Sequence, residues 1–279
     1  MRYVKPESFE AAAALLRDEQ GISRILAGGT DVLVQLKAEM VEPDLMGDMK
    51  HLPGMREIVA EDGGFRVGAA VSGAEMGEHV ALKAMWPGVV EGVELIGSSQ
   101  VQSRATMAGN LCTGSPAGDS VPAMVTAGAV ARVQGPDGVR DVPVVDIPTG
   151  PGKNSLAKGE FITSIYLPAR PDNASDAYLR FIPRTEMDIA VSSAAVSLEL
   201  NSDGVVTTAH VAVGAVAPTV LLVKDAGDAL IGSMLEDAAI AALVSAVEAA
   251  CNPITDKRGT IEFRTKTAGV LAKRAGGQA

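Results

Sequence analysis

From Gly97 to Pro122 the chain is unusually rich in Gly, Ser, Thr and Asn, while the stretches on either side carry regular apolar patterns. Such a run matches neither the 3.6-residue period of an amphipathic helix nor the alternation of a strand. It predicts a long irregular segment inside a compact domain, and loops of that kind are often functional. Ordering so many small polar residues costs conformational entropy, which a bound polar ligand would offset. The bland alternative is a surface Ω-loop.

A second glycine segment stands earlier, Leu26-Ala27-Gly28-Gly29-Thr30-Asp31-Val32-Leu33. Consecutive glycines after a strand let the backbone turn tightly and approach a ligand closely. Several N–H groups can then converge on one anion, and Thr30 adds a hydroxyl donor. Asp31 would repel a phosphate, so it is expected to organise the loop by accepting backbone N–H bonds. A plain strand-to-helix turn remains the alternative. Together the two segments favour a dinucleotide held by loops from separate lobes, without saying which dinucleotide.

The flanking pattern organises the rest. Residues 8–18 (SFEAAAALLRD) predict a helix capped by Ser8, residues 23–27 a strand, and residues 31–39 a second helix, forming an α/β lobe that ends near residue 55. Beyond it, residues 65–69 predict a strand, 72–82 and 87–95 helices, 129–133 and 139–145 strands, and 161–167 (FITSIYL) a closing strand. Residues 171–176 form a linker-like cluster of turn residues. Two alternating runs, 190–200 and 205–213, meet at Asn201-Ser202-Asp203-Gly204, a hairpin signal. Helices are expected over 235–250 and 260–273. The fold class is therefore α+β, with a two-lobed domain over 1–170 (lobes about 1–55 and 56–170) and a C-terminal α+β domain over 171–279.

Composition excludes several function classes. Lys and Arg number 24 against 34 Asp and Glu, a net charge of −10, which repels nucleic-acid backbones. Aromatic residues are 3% of the chain, so Ala, Val, Leu, Ile and Met must fill the core. Cys112 and Cys251 are too few for a disulfide framework or a cysteine-ligated cluster, and His51, His79 and His210 show no metal-ligand spacing. The first residues lack a signal-peptide core and no apolar run spans a membrane, so a cytoplasmic protein is expected. No G-x-G-x-x-G, P-loop or G-x-S-x-G motif is present.

Three motifs occur in order: A-G-G-T-D at 27–31, T-M-A-G-N-L-x-x-x-S-P-x-x-D at 106–119, and F-I-P-R-x-x-x-D-I-A at 181–190. In register they resemble the FAD-binding medium subunit of molybdenum hydroxylases, the group of carbon monoxide dehydrogenase and bacterial xanthine dehydrogenase. The resemblance covers nearly the whole chain, including Asp256-Lys257-Arg258 and Phe263-Arg264. It implies a FAD-binding domain of the vanillyl-alcohol-oxidase (PCMH) type followed by a flavoprotein C-terminal domain. It also implies that Leu26, Ala27, Gly28, Gly29, Thr30, Asp31 and Val32 wrap the FAD pyrophosphate. Thr106, Met107, Ala108, Gly109 and Asn110 would form the second FAD loop, with Ile96 flanking the cofactor and Asp119 binding ribityl or ribose hydroxyls. Ile162 would sit near the isoalloxazine, and Arg180 and Arg184 would be cations near it. Two departures stand out: Met107-Ala108 replaces the commoner Ile-Gly or Val-Gly, and the inserted iron–sulfur cluster of some members has no cysteines here.

The resemblance further implies partners: a large molybdopterin subunit that oxidises the substrate and a small subunit with two [2Fe–2S] clusters, assembled as a dimer of heterotrimers. This chain would relay electrons through FAD to an external acceptor and hold no catalytic acid or base of its own. The alternatives are a stand-alone FAD oxidoreductase of the same fold and a flavin-free assembly subunit.

Overall fold

The computed structural model describes residues 1–279. Its first lobe is a three-stranded parallel sheet, in spatial order Arg2–Val4, Leu45–Asp48 and Ser23–Leu26. Parallel strands need crossovers: helix Phe9–Asp18 joins the two outer strands, burying Ala12, Ala13 and Leu16, and the link from Ser23–Leu26 to its neighbour Leu45–Asp48 passes through helix Val32–Lys37. Ser8 caps it as expected, its Oγ accepting from the Ala11 N–H at 3.1 Å. Strands Arg2–Val4 and Leu45–Asp48 were not predicted, because three or four residues carry too little period to register. After Ser23–Leu26 the chain turns at Gly28 and Gly29, the latter with φ +83°, into helix Val32–Lys37, none of whose residues is buried.

The second lobe is a five-stranded antiparallel sheet in the order Ile58–Glu61, Gly64–Gly68, Phe161–Leu167, Val130–Gly135, Gly138–Pro143. Phe161–Leu167 is its central strand. Helices Gly73–Glu78, Val80–Met85 and Pro87–Glu94 are inserted between its second and fourth strands. The first opens with a reciprocal capping box between Ser72 and Glu75. The segment from Gly97 to Pro122, expected to be irregular, contains the helices Ser99–Gln102 and Met107–Cys112 and the start of Ser120–Thr126. Their composition disfavours helix. Burial and caps override it: every residue of Ser120–Thr126 is buried, and Thr106 caps Met107–Cys112 by accepting from the Gly109 N–H.

The C-terminal sheet is antiparallel, in the order Ala174–Phe181, Ser192–Leu200, Val206–Gly214, Leu221–Leu222. Its hairpin turns where expected, with Gly204 at φ +78° and the Asn201 side chain accepting from the Asp203 and Val205 N–H groups. Alternate residues point to opposite faces, and both faces are covered. Tyr178, Ala195 and Ala212 join the apolar core of the second lobe, while Ala194, Val196, Val211 and Val213 pack with helices Asp237–Ala250 and Ile261–Gly276. No helix is long and apolar enough to cross a membrane.

Residues 171–176, expected as a linker, are only partly one. Ala174, Ser175 and Asp176 pair with Glu199, Leu198 and Ser197 as strand residues. Asp176 is buried because its carboxylate is fully engaged. It accepts from the Val89 N–H at 3.1 Å, near the start of helix Pro87–Glu94, and from Arg170 at 2.7 Å. The Arg170 guanidinium in turn lies 4.7 Å from the Trp86 ring centre. These contacts fasten the C-terminal sheet to the helices of the second lobe.

Candidate functional site

A cleft of about 630 Å3 opens between the two N-terminal lobes, within the ~300–1,000 Å3 range of small-molecule sites. Both glycine segments line it. From the first come Ala27, Gly28, Gly29, Thr30, Asp31 and Val32; from the second Thr106, Ala108, Gly109 and Asn110; Ile162 enters from the central strand. The segments meet in van der Waals contact. A Cβ added to Gly28 would stand 2.9 Å from the Arg104 carbonyl carbon and overlap its oxygen. Only glycine allows this approach.

The remaining expected residues lie elsewhere. Leu26 is the last residue of its strand and Met107 is buried in the core, neither lining the cleft. Ile96 packs against the second-lobe core. Asp119 and Arg180 are brought together rather than to the cleft wall: Arg180 Nη1 donates to Asp119 Oδ2 at 2.6 Å, and the Tyr178 hydroxyl donates to Asp119 Oδ1 at 2.9 Å. Arg184 is exposed and donates to Asp188 at 3.0 Å and to the Met187 carbonyl. Asp31 does not accept backbone N–H groups as expected; its Oδ2 takes the Gln35 side-chain amide at 2.6 Å, one helical turn on.

The cleft suits a ligand with a flat apolar part and an anionic polar part. Ile25, Ala27, Val32, Met55, Leu156, Phe161 and Ile162 give it apolar walls. Arg24 and Lys158 stand on its lining, and Glu160 is neutralised by a two-point ion pair with Arg140 at 2.7 and 2.8 Å. Asn110 contributes a free donor. Its Oδ1 accepts the Ser120 N–H and hydroxyl, at 3.1 and 2.8 Å, leaving its Nδ2 without a protein acceptor. Gly29 holds a left-handed backbone that a Cβ would strain. These residues fit FAD: bare backbone at the turn, small residues in the second loop, and apolar walls.

Two groups, the partly buried Cys112 and the buried Asp119, are held out of their ordinary range. Burial pushes the Cys112 thiol, on the cleft lining, up to about 12. Burial also raises Asp119 from 3.8 to about 6, against the opposing pull of Arg180 and Tyr178. A carboxyl whose folded pKa exceeds its unfolded value favours folding below the unfolded pKa, and loses that contribution as pH rises through the folded one. Wild type is therefore expected to lose stability relative to Asp119→Asn between pH 3.8 and about 6. Denaturant titrations across that window would read this directly, and a pH-independent difference would contradict it. Sequence reasoning did not find Tyr178. Its only signal was a bulky aromatic two residues before Arg180, on the same strand face.

Residues 1–170 match the family described as the FAD binding domain in molybdopterin dehydrogenase, and residues 177–279 the CO dehydrogenase flavoprotein C-terminal domain. The chain is 32% identical over 273 residues to the carbon monoxide dehydrogenase medium chain of Afipia carboxidovorans, covering 98% of this chain and 94% of that one. It is 29% identical over 274 residues to a putative xanthine dehydrogenase FAD-binding subunit of Escherichia coli, covering 98% and 93%. In structure it is similar to a chain of the reconstituted CO dehydrogenase from Oligotropha carboxidovorans, with TM-score 0.95, 31% identity, and coverage of 100% and 97%.

Proposed function

The chain belongs to the family of FAD-binding domains of molybdopterin dehydrogenases, and on that premise we propose that it is the electron-relay subunit of a molybdenum hydroxylase, holding FAD in the cleft between its N-terminal lobes. The observation that carries this reading is the contact of the two glycine segments at Gly28 and Arg104, which closes one cleft from both lobes. The FAD-binding domain spans residues 1–170 and the C-terminal flavoprotein domain 171–279.

When bound, FAD supplies a carrier that takes up and gives off two electrons, singly or together; the protein supplies position and electrostatics. The backbone of Ala27, Gly28, Gly29 and Thr30 offers N–H groups to the pyrophosphate, supported by the flanking Leu26, Asp31 and Val32. Thr106 fixes the start of the second loop through the Gly109 N–H, and Asn110 offers its amide. Ala108 and Ile162 supply apolar surface, Met107 and Ile96 anchor the second lobe's side of the cleft from the core behind it, and Asp119, Arg180 and Arg184 set the field on the side of the C-terminal domain. No residue of this chain is assigned a proton transfer to substrate.

In the proposed assembly a large molybdopterin subunit oxidises the substrate and a small subunit carries two [2Fe–2S] clusters. Electrons reach this chain from that small subunit and leave to an external acceptor. The complex is a cytoplasmic dimer of heterotrimers.

The flavin is held without a covalent bond. His51 Nε2–H donates to the Pro6 carbonyl at 2.9 Å, His79 Nδ1 caps a helix by accepting from the Leu82 N–H, and Cys112 is kept as the poorly nucleophilic thiol. Titrating the flavin-free full-length chain with FAD, followed by flavin fluorescence, is expected to give one FAD per chain. Acid precipitation of the complex is then expected to leave the flavin in the supernatant. Failure to bind FAD would refute the reading, and flavin in the pellet would refute the non-covalent attachment.

A further inference from the structure

The buried face of strand Ala174–Phe181 carries a polar row, Asp176, Tyr178 and Arg180, spaced by two and so pointing the same way. Asp176 is engaged by helix Pro87–Glu94. Tyr178 and Arg180 are engaged together by one carboxylate, Asp119. Tyr178 is among the largest fully buried side chains of the chain. Its backbone N–H donates to Glu91 Oε2 at 3.3 Å, which covers the strand's open edge. A buried tyrosine needs a hydrogen-bond partner for its hydroxyl, and this one has found it on an element of the other domain.

Asp119 leads directly to the cleft. It is followed by Ser120, whose N–H and hydroxyl both donate to Asn110 Oδ1. Asn110 belongs to helix Met107–Cys112 and lines the cleft with its Nδ2 unpaired inside the chain. A path therefore runs from Tyr178 by a hydrogen bond to Asp119, along the backbone to Ser120, and by two hydrogen bonds to Asn110. Within it Arg180 contributes charge on a long side chain, while the tyrosine contributes a rigid ring fixed by packing with the helices of the second lobe. Burial, followed by the nearby Asp119 charge, holds the phenol well above its usual pKa, so it stays a donor.

We propose that Tyr178 is a positioning residue of the cofactor site, acting through Asp119 and Ser120 to hold the Asn110 amide in place for the FAD bound in the cleft. The proposal rests on the cleft being the FAD site. It makes the C-terminal domain part of the cofactor cradle, although that domain contributes no residue to the cleft wall.

The test uses the full-length chain freed of flavin, titrated with FAD, for wild type, Tyr178→Phe, Asp119→Asn and the double variant. Phenylalanine keeps the ring and the packing and removes only the hydroxyl. Each single variant is expected to weaken FAD binding about tenfold, with the double variant no weaker than Asp119→Asn alone, since residues in one network are not additive. The visible circular dichroism of the bound flavin is expected to change in Tyr178→Phe, a signal that mere loss of stability does not produce. Binding and dichroism unchanged in Tyr178→Phe would overturn the proposal, whatever happens to its melting temperature. Independent, additive losses would overturn it too. If wild type itself bound no FAD, the functional reading would fall and take this proposal with it, which separates the two failures. Should Tyr178→Phe fold poorly, Asp119→Asn carries the same test with the phenol in place, and an unchanged flavin signal there would overturn the path.

Discussion

Gly28→Ala is expected to weaken FAD binding by about 1–3 kcal/mol, roughly fivefold to 150-fold, the cost of overpacking a close contact. The added methyl would overlap the Arg104 carbonyl oxygen and crowd Ala105 Cα at 3.2 Å. The neighbour is backbone, so relief requires the two loops to part, and the loops are the cleft. Gly150→Ala serves as the control, since its Cβ would meet nothing within 4 Å and its φ is unrestricted. Fluorescence titration with FAD reads both. A Gly28→Ala chain that binds FAD as wild type does would show that the loops need not touch, and would remove the observation on which the functional reading stands.

Asp176→Ala is expected to destabilise the chain by about 3–5 kcal/mol, the usual cost of removing one partner from a buried ion pair. Arg170 would be left unpaired with its side chain 10% exposed, and the Val89 N–H would lose its acceptor. The intact pair is not expected to be a large net stabiliser. Burial raises the Asp176 pKa despite Arg170 and the backbone donors at Gly88 and Val89. Its contribution to folding therefore declines as pH rises through that raised value. The double replacement Asp176→Leu with Arg170→Met is accordingly expected to recover most of the loss. Urea midpoints at fixed pH would measure both variants. An Asp176→Ala chain within about 0.5 kcal/mol of wild type, the range of an ordinary surface substitution, would show that the sheet is fastened to the second lobe by apolar packing alone.

Much of the local structure is legible in the amino-acid sequence. The Ser8 cap, strand Phe161–Leu167, the hairpin at Asn201–Gly204 and the long helices near the C-terminus follow from patterns that close within a few residues. So do the two glycine segments, because a backbone that must turn sharply and stay bare announces itself in composition. What the sequence by itself determined, then, was the order of elements and the two places where a ligand can approach the main chain. The tertiary structure decided which distant groups met. Sequence spacing does not place Gly28 against Arg104 or pair Asp119 with Tyr178 and Arg180, whereas the Arg184–Asp188 ion pair, four residues apart, was the sequence's own alternative for Arg184. It also decided that residues 97–122 hold short helices and that Asp176 lies in a strand, against the preferences of those residues. The physical reason is the same in each case. Propensity and periodicity act over one or two turns and are worth tenths of a kcal/mol per residue, on the order of 0–0.7. A buried carboxylate or a backbone contact is worth whole kcal/mol, and its partner is chosen by packing across residues far apart in the chain.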